Sequence, residues 1–250
     1  MRKELVLHSG ARSVTRDELD LIPVPVATET YQPVAHYDLV TKLATVSQDL
    51  LTGYTLSDEK YGIARQANQL FGVLKFKNAD QEMGLSIGFR NSYDKSLSVG
   101  IAVGATVFVC DNLALSGSIT VMKKHTKNIW DALEEMTVTS LYRARHSFEQ
   151  IRVDSESMKA VEWTDADAAR ALGLLYFDGV LSPRQLPVTR DQWLKPDHVE
   201  FQARTPWSFY NACTHALKST PPAGIMERHI ALHDMVVDLA KTDYNVETIN

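Results

Sequence analysis

At 250 residues, with 44% hydrophobic and 23% charged residues, the chain is long enough to bury a self-sufficient core, and its ordinary composition excludes disorder, collagen and a simple coiled coil. A net charge of -5 excludes a protein that coats nucleic acid by overall charge, because phosphate affinity comes from clustered Lys and Arg. The charge is uneven: residues 60–152 hold 12 basic against 8 acidic side chains, residues 1–59 hold 5 against 9, and residues 153–250 hold 9 against 14, so the middle is the one basic third.

The first residues, Met1–His8, carry charge and no apolar leader core, and no later segment approaches the roughly 18 apolar residues that span a bilayer. The expectation is a cytoplasmic protein with no membrane partner. Cys110 and Cys213 are far apart and in no metal-ligand spacing, which fits reduced thiols in a reducing compartment.

Residues 10–34 contain Pro23, Pro25 and Pro33 and no helical period, so residues 1–34 read as an extended arm able to add an edge strand. Residues 35–250 read as a single α+β domain. Its first helix spans 35–51, where Leu39, Val40, Leu43, Val46 and Leu50 recur at helical spacing and Gly53 follows as a stop. Short apolar runs, 61–64 and 70–76, then lead into a stretch of period two. Leu85, Ile87 and Phe89 alternate with Ser86, Gly88 and Arg90, and Leu97, Val99, Ile101 and Val103 alternate with Ser98, Gly100, Ala102 and Gly104.

These are two strands of one hairpin. Keeping the bulky odd-numbered residues on one face requires paired residue numbers with an even sum, hence a loop of odd length, either Tyr93–Lys95 or Asn91–Lys95. The second strand continues past a bulge near Ala105 to Cys110 and the turn formers Asp111–Asn112. The even face is almost free of side-chain bulk, so something approaches the backbone there; a packed helix is the first expectation and a ligand or nucleic-acid groove the second.

From Thr126 the pattern is helical. The longest helix is expected over 126–151; Thr164 caps another reaching Phe177; Ser182-Pro183 opens a short one; Thr205-Pro206 begins one reaching Leu217; and a last helix runs from Ile225 to about Lys241. The fold class is thus α+β: an antiparallel, hairpin-centred sheet over 70–122, packed by helices, with a mostly helical C-terminal half over 126–243.

No constellation of catalytic residues emerges. His229 and His233 lie four apart on a helix, but no third ligand accompanies them and Ile230 stands where a zinc protease has Glu. Cys110 follows apolar strand residues beside Asp111, which disfavours a thiolate. Ser116-Gly117-Ser118 lacks a nucleophile-elbow context, Glu134-Glu135 reads as solvated helix surface, and no phosphate loop can be placed. Neither cofactor nor metal is implied, and a non-enzyme is favoured.

The densest functional signal is basic. Lys123, Lys124, His125 and Lys127 lie where the longest helix begins, so side-chain charge and free helix amides favour phosphate together. Lys75, Lys77, Arg90 and Lys95 lie in or beside the hairpin, with Tyr93 at its tip as a stacking surface. A solvated charged face is the plainer reading of the same residues.

At Phe89-Arg90-Asn91-Ser92-Tyr93-Asp94-Lys95-Ser96, Val107–Leu113, Lys124-His125-Thr126 and Thr205-Pro206-Trp207 through Tyr210-Asn211-Ala212 to Thr214, the chain resembles the phage/plasmid-like proteins grouped as domain of unknown function 932. Many relatives have Asn-Gly where this chain has Asn112-Leu113, which suggests a distinct branch. The resemblance implies a mobile-element setting in bacteria and supplies no mechanism or site residue. Two roles follow as expectations: an accessory protein that binds single-stranded DNA, similar to annealing proteins, or a non-enzymatic interaction protein that sequesters a host or defence factor through its acidic helical half. Possible edge strands leave room for a homo-oligomer.

Overall fold

The period-two stretch forms the centre of the fold. In the computed structural model, which describes residues 11–78, 83–107, 112–221 and 223–247, strand β4 (Met83–Ser92) runs antiparallel to β5 (Val99–Val107). Met83 faces Val107 and Arg90 faces Gly100. Their sums are even, as the alternating pattern requires, so Leu85, Ile87, Phe89, Ile101 and Val103 share one face. The tip differs from both expected loops: the bend runs over Tyr93–Leu97. Side chains account for the difference. The hydroxyl of Ser92 donates to the Leu97 carbonyl at 2.9 Å and accepts the Leu97 amide at 3.0 Å, replacing a backbone rung, while Asp94 Oδ1 accepts the Ser96 amide at 3.0 Å.

Around this hairpin the sheet is a six-stranded antiparallel meander in chain order. β1 (Arg12–Val14) and β2 (Thr55–Ala64) lead to β3 (Gln69–Lys77) on one side of the hairpin; β6 (Asn112–Lys123) closes the other. The expected irregularity near Ala105 lies between Ala102 and Gly104, where the β5–β6 register shifts. The N-terminal arm is less extended than its prolines suggest. Arg12–Val14 forms the edge strand, pairing with Ile63, Gly62 and Tyr61, and a short helix α1 (Arg16–Asp20) follows it. That helix has a legible cause: Thr15 and Glu18 form a reciprocal capping box.

Two helices cover the bulky face. α2 (His36–Leu50) and the longest helix, α3 (Ile129–Lys159), bury Leu39, Val40, Leu43, Ile129, Leu133 and Met136 in one core with Leu74, Phe76, Ile87, Phe89 and Ile101. α3 runs two turns beyond the expected end at Ile151, because Met158 still faces the core. The C-terminal half continues through α4 (Asp165–Phe177), α5 (Gln185–Leu194), α6 (Pro206–Leu217) and α7 (Ile225–Glu247). Thr164 and Thr205 cap α4 and α6 through their side chains, with Pro206 in the first turn of α6.

The small-residue face receives the start of α7. Ile225 and Met226, both fully buried, pack with Phe71, Val73 and Ala102, and Ile230 lies against that cluster. A helix therefore occupies part of the face where the glycines leave room. Arg90, on this same face, ties the helix down: its Nη1 donates to the Ala223 carbonyl at 3.1 Å and to the carboxylate of Glu227, in the first turn of α7.

Two glycines test this packing. Gly72 faces Phe89 across β3–β4, and a Cβ there would stand 2.3 Å from Phe89 Cζ, whereas a Cβ on Gly100 would stand 3.3 Å from the flexible Arg90 Cγ. Gly72→Ala is predicted to destabilise the protein by about 1–3 kcal/mol through overpacking, while Gly100→Ala stays within about 1 kcal/mol because the strand gains from losing a glycine. Urea midpoints of the two variants check this; equal midpoints would refute the register.

Candidate functional site

At one end of the sheet two turns meet. The β2–β3 turn places Arg65, Gln66 and Ala67 in the left-handed region with φ of 50, 57 and 66°, and the β4–β5 tip places Lys95 there at 61°. Among the described residues these are all the non-glycine residues with positive φ. Such a conformation costs an L-residue roughly 1–2 kcal/mol, and it persists only where the surroundings hold it. Here they do: the Tyr93 amide donates to the Asn68 carbonyl at 2.7 Å, and the Asn68 amide closes back onto the Arg65 carbonyl at 3.1 Å.

The remaining restraint comes from a buried polar chain. His36, at the start of α2, donates Nε2–H to the Ala67 carbonyl at 3.1 Å, so its Nδ1 is an acceptor, and it receives Asn91 Nδ2 at 2.9 Å. The same Asn91 amide group donates to the Val34 carbonyl at 2.6 Å. Asn91 Oδ1 accepts from His125 Nε2 at 2.7 Å. The four contacts place a proton on Nε2 of both imidazoles, and they require His36, whose Nδ1 accepts, to be neutral. Burial, the largest cause, pushes the His36 pKa down to about 4; the Ala67 carbonyl opposes it and His125 adds to it. Burial also lowers the pKa of His125.

Tyr93 completes the support. Its ring stacks on His36 with centroids 3.9 Å apart, and its hydroxyl accepts the His36 backbone amide at 2.8 Å. Since Ala35 makes no side-chain cap, Tyr93 serves as the N-terminal cap of α2 from across the fold. Tyr93 is only 6% exposed, so it faces inward. The ring beside the hairpin tip belongs instead to Tyr31, from the N-terminal arm: Lys95 Nζ lies 4.6 Å from its centroid. Periodicity held no signal for Tyr31, because its placement depends on a turn between Thr28 and Tyr31 and on the Gln32 amide reaching the His125 carbonyl.

The residues singled out in the sequence divide into two groups. Tyr93, Lys95, Lys123, Lys124, His125 and Lys127 gather at this end of the sheet, around the tip of β4–β5 and the link from β6 into α3. Lys77 lies at the opposite end of β3. Lys75, 6% exposed, pairs with Asp58 at 3.3 Å, and Arg90 is buried in its contact with Glu227. Among the described residues Lys95, Lys123, Lys124 and Lys127 form no ion pair. All four are exposed, and the side chain of Asn128 does not cap α3. The one carboxylate on the tip, Asp94, is engaged by Ser96 and lies 4.0 Å from Arg65.

The other candidates sit in the helical half. His229 and His233 are both buried on α7, and His233 Nε2 bonds Asp154 Oδ2 at 3.2 Å. Burial opposes the charge of Asp154, but hydrogen bonds from His233 and Gln150 outweigh it and lower its pKa. A crevice of about 390 Å3 lies beside this pair, with Met158, Val161 and Val237 in its walls. Among the described residues no group of three side chains is disposed to hold a metal ion. Cys213 is a buried thiol whose pKa burial raises; Cys110 lies outside the described residues. No helix of the described residues is long and apolar enough to cross a membrane.

The chain belongs to the family described as Domain of unknown function (DUF932), whose model matches residues 24–231. No curated protein and no solved structure matches it. Two of the segments that resemble the family, Phe89–Ser96 and Lys124–Thr126, meet at the Asn91–His125 hydrogen bond. The Thr205–Thr214 segment lies in and before α6, where Trp207 and Tyr210 stack in the core.

The neutral histidines make stability depend on pH with a definite sign. A His whose folded pKa lies below its unfolded value near 6.5 binds its proton more readily when unfolded, so its stabilisation is present at pH 7 and is lost as the pH falls from about 6.5 toward 4. His36 alone is predicted to cost roughly 2 kcal/mol between pH 7 and pH 5, with His125 acting in the same direction. Urea denaturation at the two pH values checks this, and His36→Gln should flatten most of the dependence; an unchanged midpoint in the native protein would show that the imidazoles are not held neutral.

Proposed function

We propose that this member of the DUF932 family is a nucleic-acid-binding accessory protein of a phage or other bacterial mobile element, gripping single-stranded DNA at the basic end of its sheet, in the manner of an annealing protein. The observation that carries this reading is the set of four exposed lysines, Lys95, Lys123, Lys124 and Lys127, that have no ion pair among the described residues. Elsewhere in the basic third Lys60 and Lys75 pair with Asp58, Arg65 with Asp94, Arg90 with Glu227 and Arg152 with Glu149, while Lys77, at the opposite end of β3, and Arg143, within α3, are exposed and form no ion pair among the described residues. Charge left unpaired on a rigid platform is charge available to phosphate. The open first turn of α3 adds backbone donors of the same polarity.

The supporting interior matters as much as the lysines. A charged histidine or a carboxylate at the centre of the network would either repel neighbouring lysines or neutralise them. His36, Asn91 and His125 do neither, because all three are uncharged. The platform is stiff, since its turns are tied to α2 and the arm by hydrogen bonds, and so little ordering remains to be done on binding.

A second reading, a non-enzymatic interaction protein that sequesters a host or defence factor, draws on one observation in the helical half. Phe177 is 86% exposed at the end of α4, with Tyr176 and Leu174 also exposed. Large apolar side chains in solvent suit a protein contact.

The two readings separate in one titration. A labelled single-stranded oligonucleotide is expected to bind with an affinity that falls as salt rises, and the triple change Lys123→Gln, Lys124→Gln, Lys127→Gln is expected to reduce the log–log salt slope by about 2, at roughly 0.7 per lost phosphate contact. Changing Phe177→Ser should leave that binding alone. Absence of binding at low salt, or a triple variant that binds like the native protein, would defeat the nucleic-acid reading.

A further inference from the structure

α3 begins at the basic end of the sheet and ends at a crevice of about 390 Å3 formed with α7, a volume within the range of small-molecule sites. Met158, Val161, Val237 and Ala240, all buried, make its apolar walls. Two unlike charges border the same space, Asp154 from α3 and Lys241 from α7. The carboxylate is built in: Asp154 is 6% exposed, with Gln150 Nε2 donating to its Oδ1 at 3.0 Å and His233 Nε2 bonded to its Oδ2 at 3.2 Å. Each oxygen keeps room for a further donor. Burial opposes its charge, but the two hydrogen bonds and the field of Lys241 overcome that and lower its pKa.

Lys241 is exposed and forms no ion pair with Asp154 among the described residues, although both line the crevice. The last turn of α3 strengthens the negative side. Ser157 and Met158 of that turn and the cap residue Ala160 border the crevice, and the carbonyl end of a helix dipole attracts cations. From this arrangement we infer that the crevice binds an apolar α-amino acid as its zwitterion. Asp154 receives the ammonium, Lys241 the carboxylate, and the apolar walls the side chain. A simple amine would leave Lys241 unused, a fatty acid would meet the charge of Asp154, and a neutral apolar molecule would strip water from Asp154 and return no hydrogen bond. A zwitterion satisfies both charges and the walls at once. The crevice and the lysines stand at opposite ends of α3, so this site is independent of the nucleic-acid reading.

The test titrates L-leucine, and the two molecules that each lack one of its charges, isoamylamine and isocaproate, into the isotope-labelled protein, with amide shifts read by NMR. Leucine is expected to bind about 10- to 100-fold more tightly than either, one charged hydrogen bond being absent in each. Lys241→Met, at an exposed position, should remove most of leucine's advantage over isoamylamine and keep its advantage over isocaproate; Asp154→Asn should do the reverse. Ala240→Leu, which fills the crevice and leaves both charges in place, should abolish leucine binding, and it decides the matter if Asp154→Asn fails to fold. No saturable shift with leucine, equal affinity for the three compounds, or a Lys241→Met variant with an unchanged ratio of leucine to isoamylamine affinity would each overturn the inference. Oligonucleotide binding is measured separately, so loss of this site and loss of the nucleic-acid reading are distinguishable.

Discussion

The carboxamide of Asn91 can face only one way. Turned round, it would set its oxygen against the Val34 carbonyl and its amide hydrogens against the His125 donor, replacing two hydrogen bonds by two repulsions. That single orientation determines the proton positions on both histidines, and through His36 Nε2 it reaches the left-handed β2–β3 turn at Ala67. One side chain thereby joins the arm, the start of α2, strand β4, the link into α3 and a strained turn, pieces that lie far apart in the chain. A buried polar network of this kind specifies one arrangement because any partly satisfied alternative leaves polar atoms unpaired in a medium that penalises them.

Charge counting along the chain overstates the cationic surface, and the reason is visible in the hairpin. Its even face carries Gly88, Gly100 and Ala102 beside Arg90, so the long guanidinium arm has room to fold down and bind the Ala223 carbonyl and Glu227. Lys75 is likewise buried against Asp58. Long cations beside small residues tend toward burial and pairing, since their methylene stems gain apolar contact that a flat, bulky surface would not offer. The lysines at the end of the sheet follow turns and strand termini, where no such trough exists, and stay in solvent.

What was legible in the sequence were the features set by near neighbours. The alternation at Leu85–Val103 gave the correct face and the parity of the register, and Thr164 and Thr205-Pro206 marked their helices because a cap is made within three residues. The longest helix was legible in place but not in length, since Met158 is helical through its tertiary packing. Tyr31, the Arg65–Ala67 turn and the inward rotation of Tyr93 were not legible. Each depends on a partner at least 31 positions away: Ala67 on His36, Tyr93 on His36, Tyr31 on Tyr93. The family likeness pointed to Asn91 and His125 by segment, without saying that they touch.

The left-handed turns bear on function through the residues chosen for them. A two-stranded turn is made with least strain by Gly or Asn, which enter the positive-φ region at little penalty. This chain instead places Arg65, Gln66, Ala67 and Lys95 there, accepting a backbone penalty at every position and offsetting it with hydrogen bonds from His36, Asn68 and Ser96. Glycine would relieve the backbone but would remove two cations, Arg65 and Lys95, the second of which also lies against the Tyr31 ring. Strain retained where a neutral substitute exists is evidence about the side chains rather than the turn. Two of those side chains, Arg65 and Lys95, carry positive charge at the end of the sheet where Lys123, Lys124 and Lys127 are exposed, so the backbone strain falls on the same surface as that cluster.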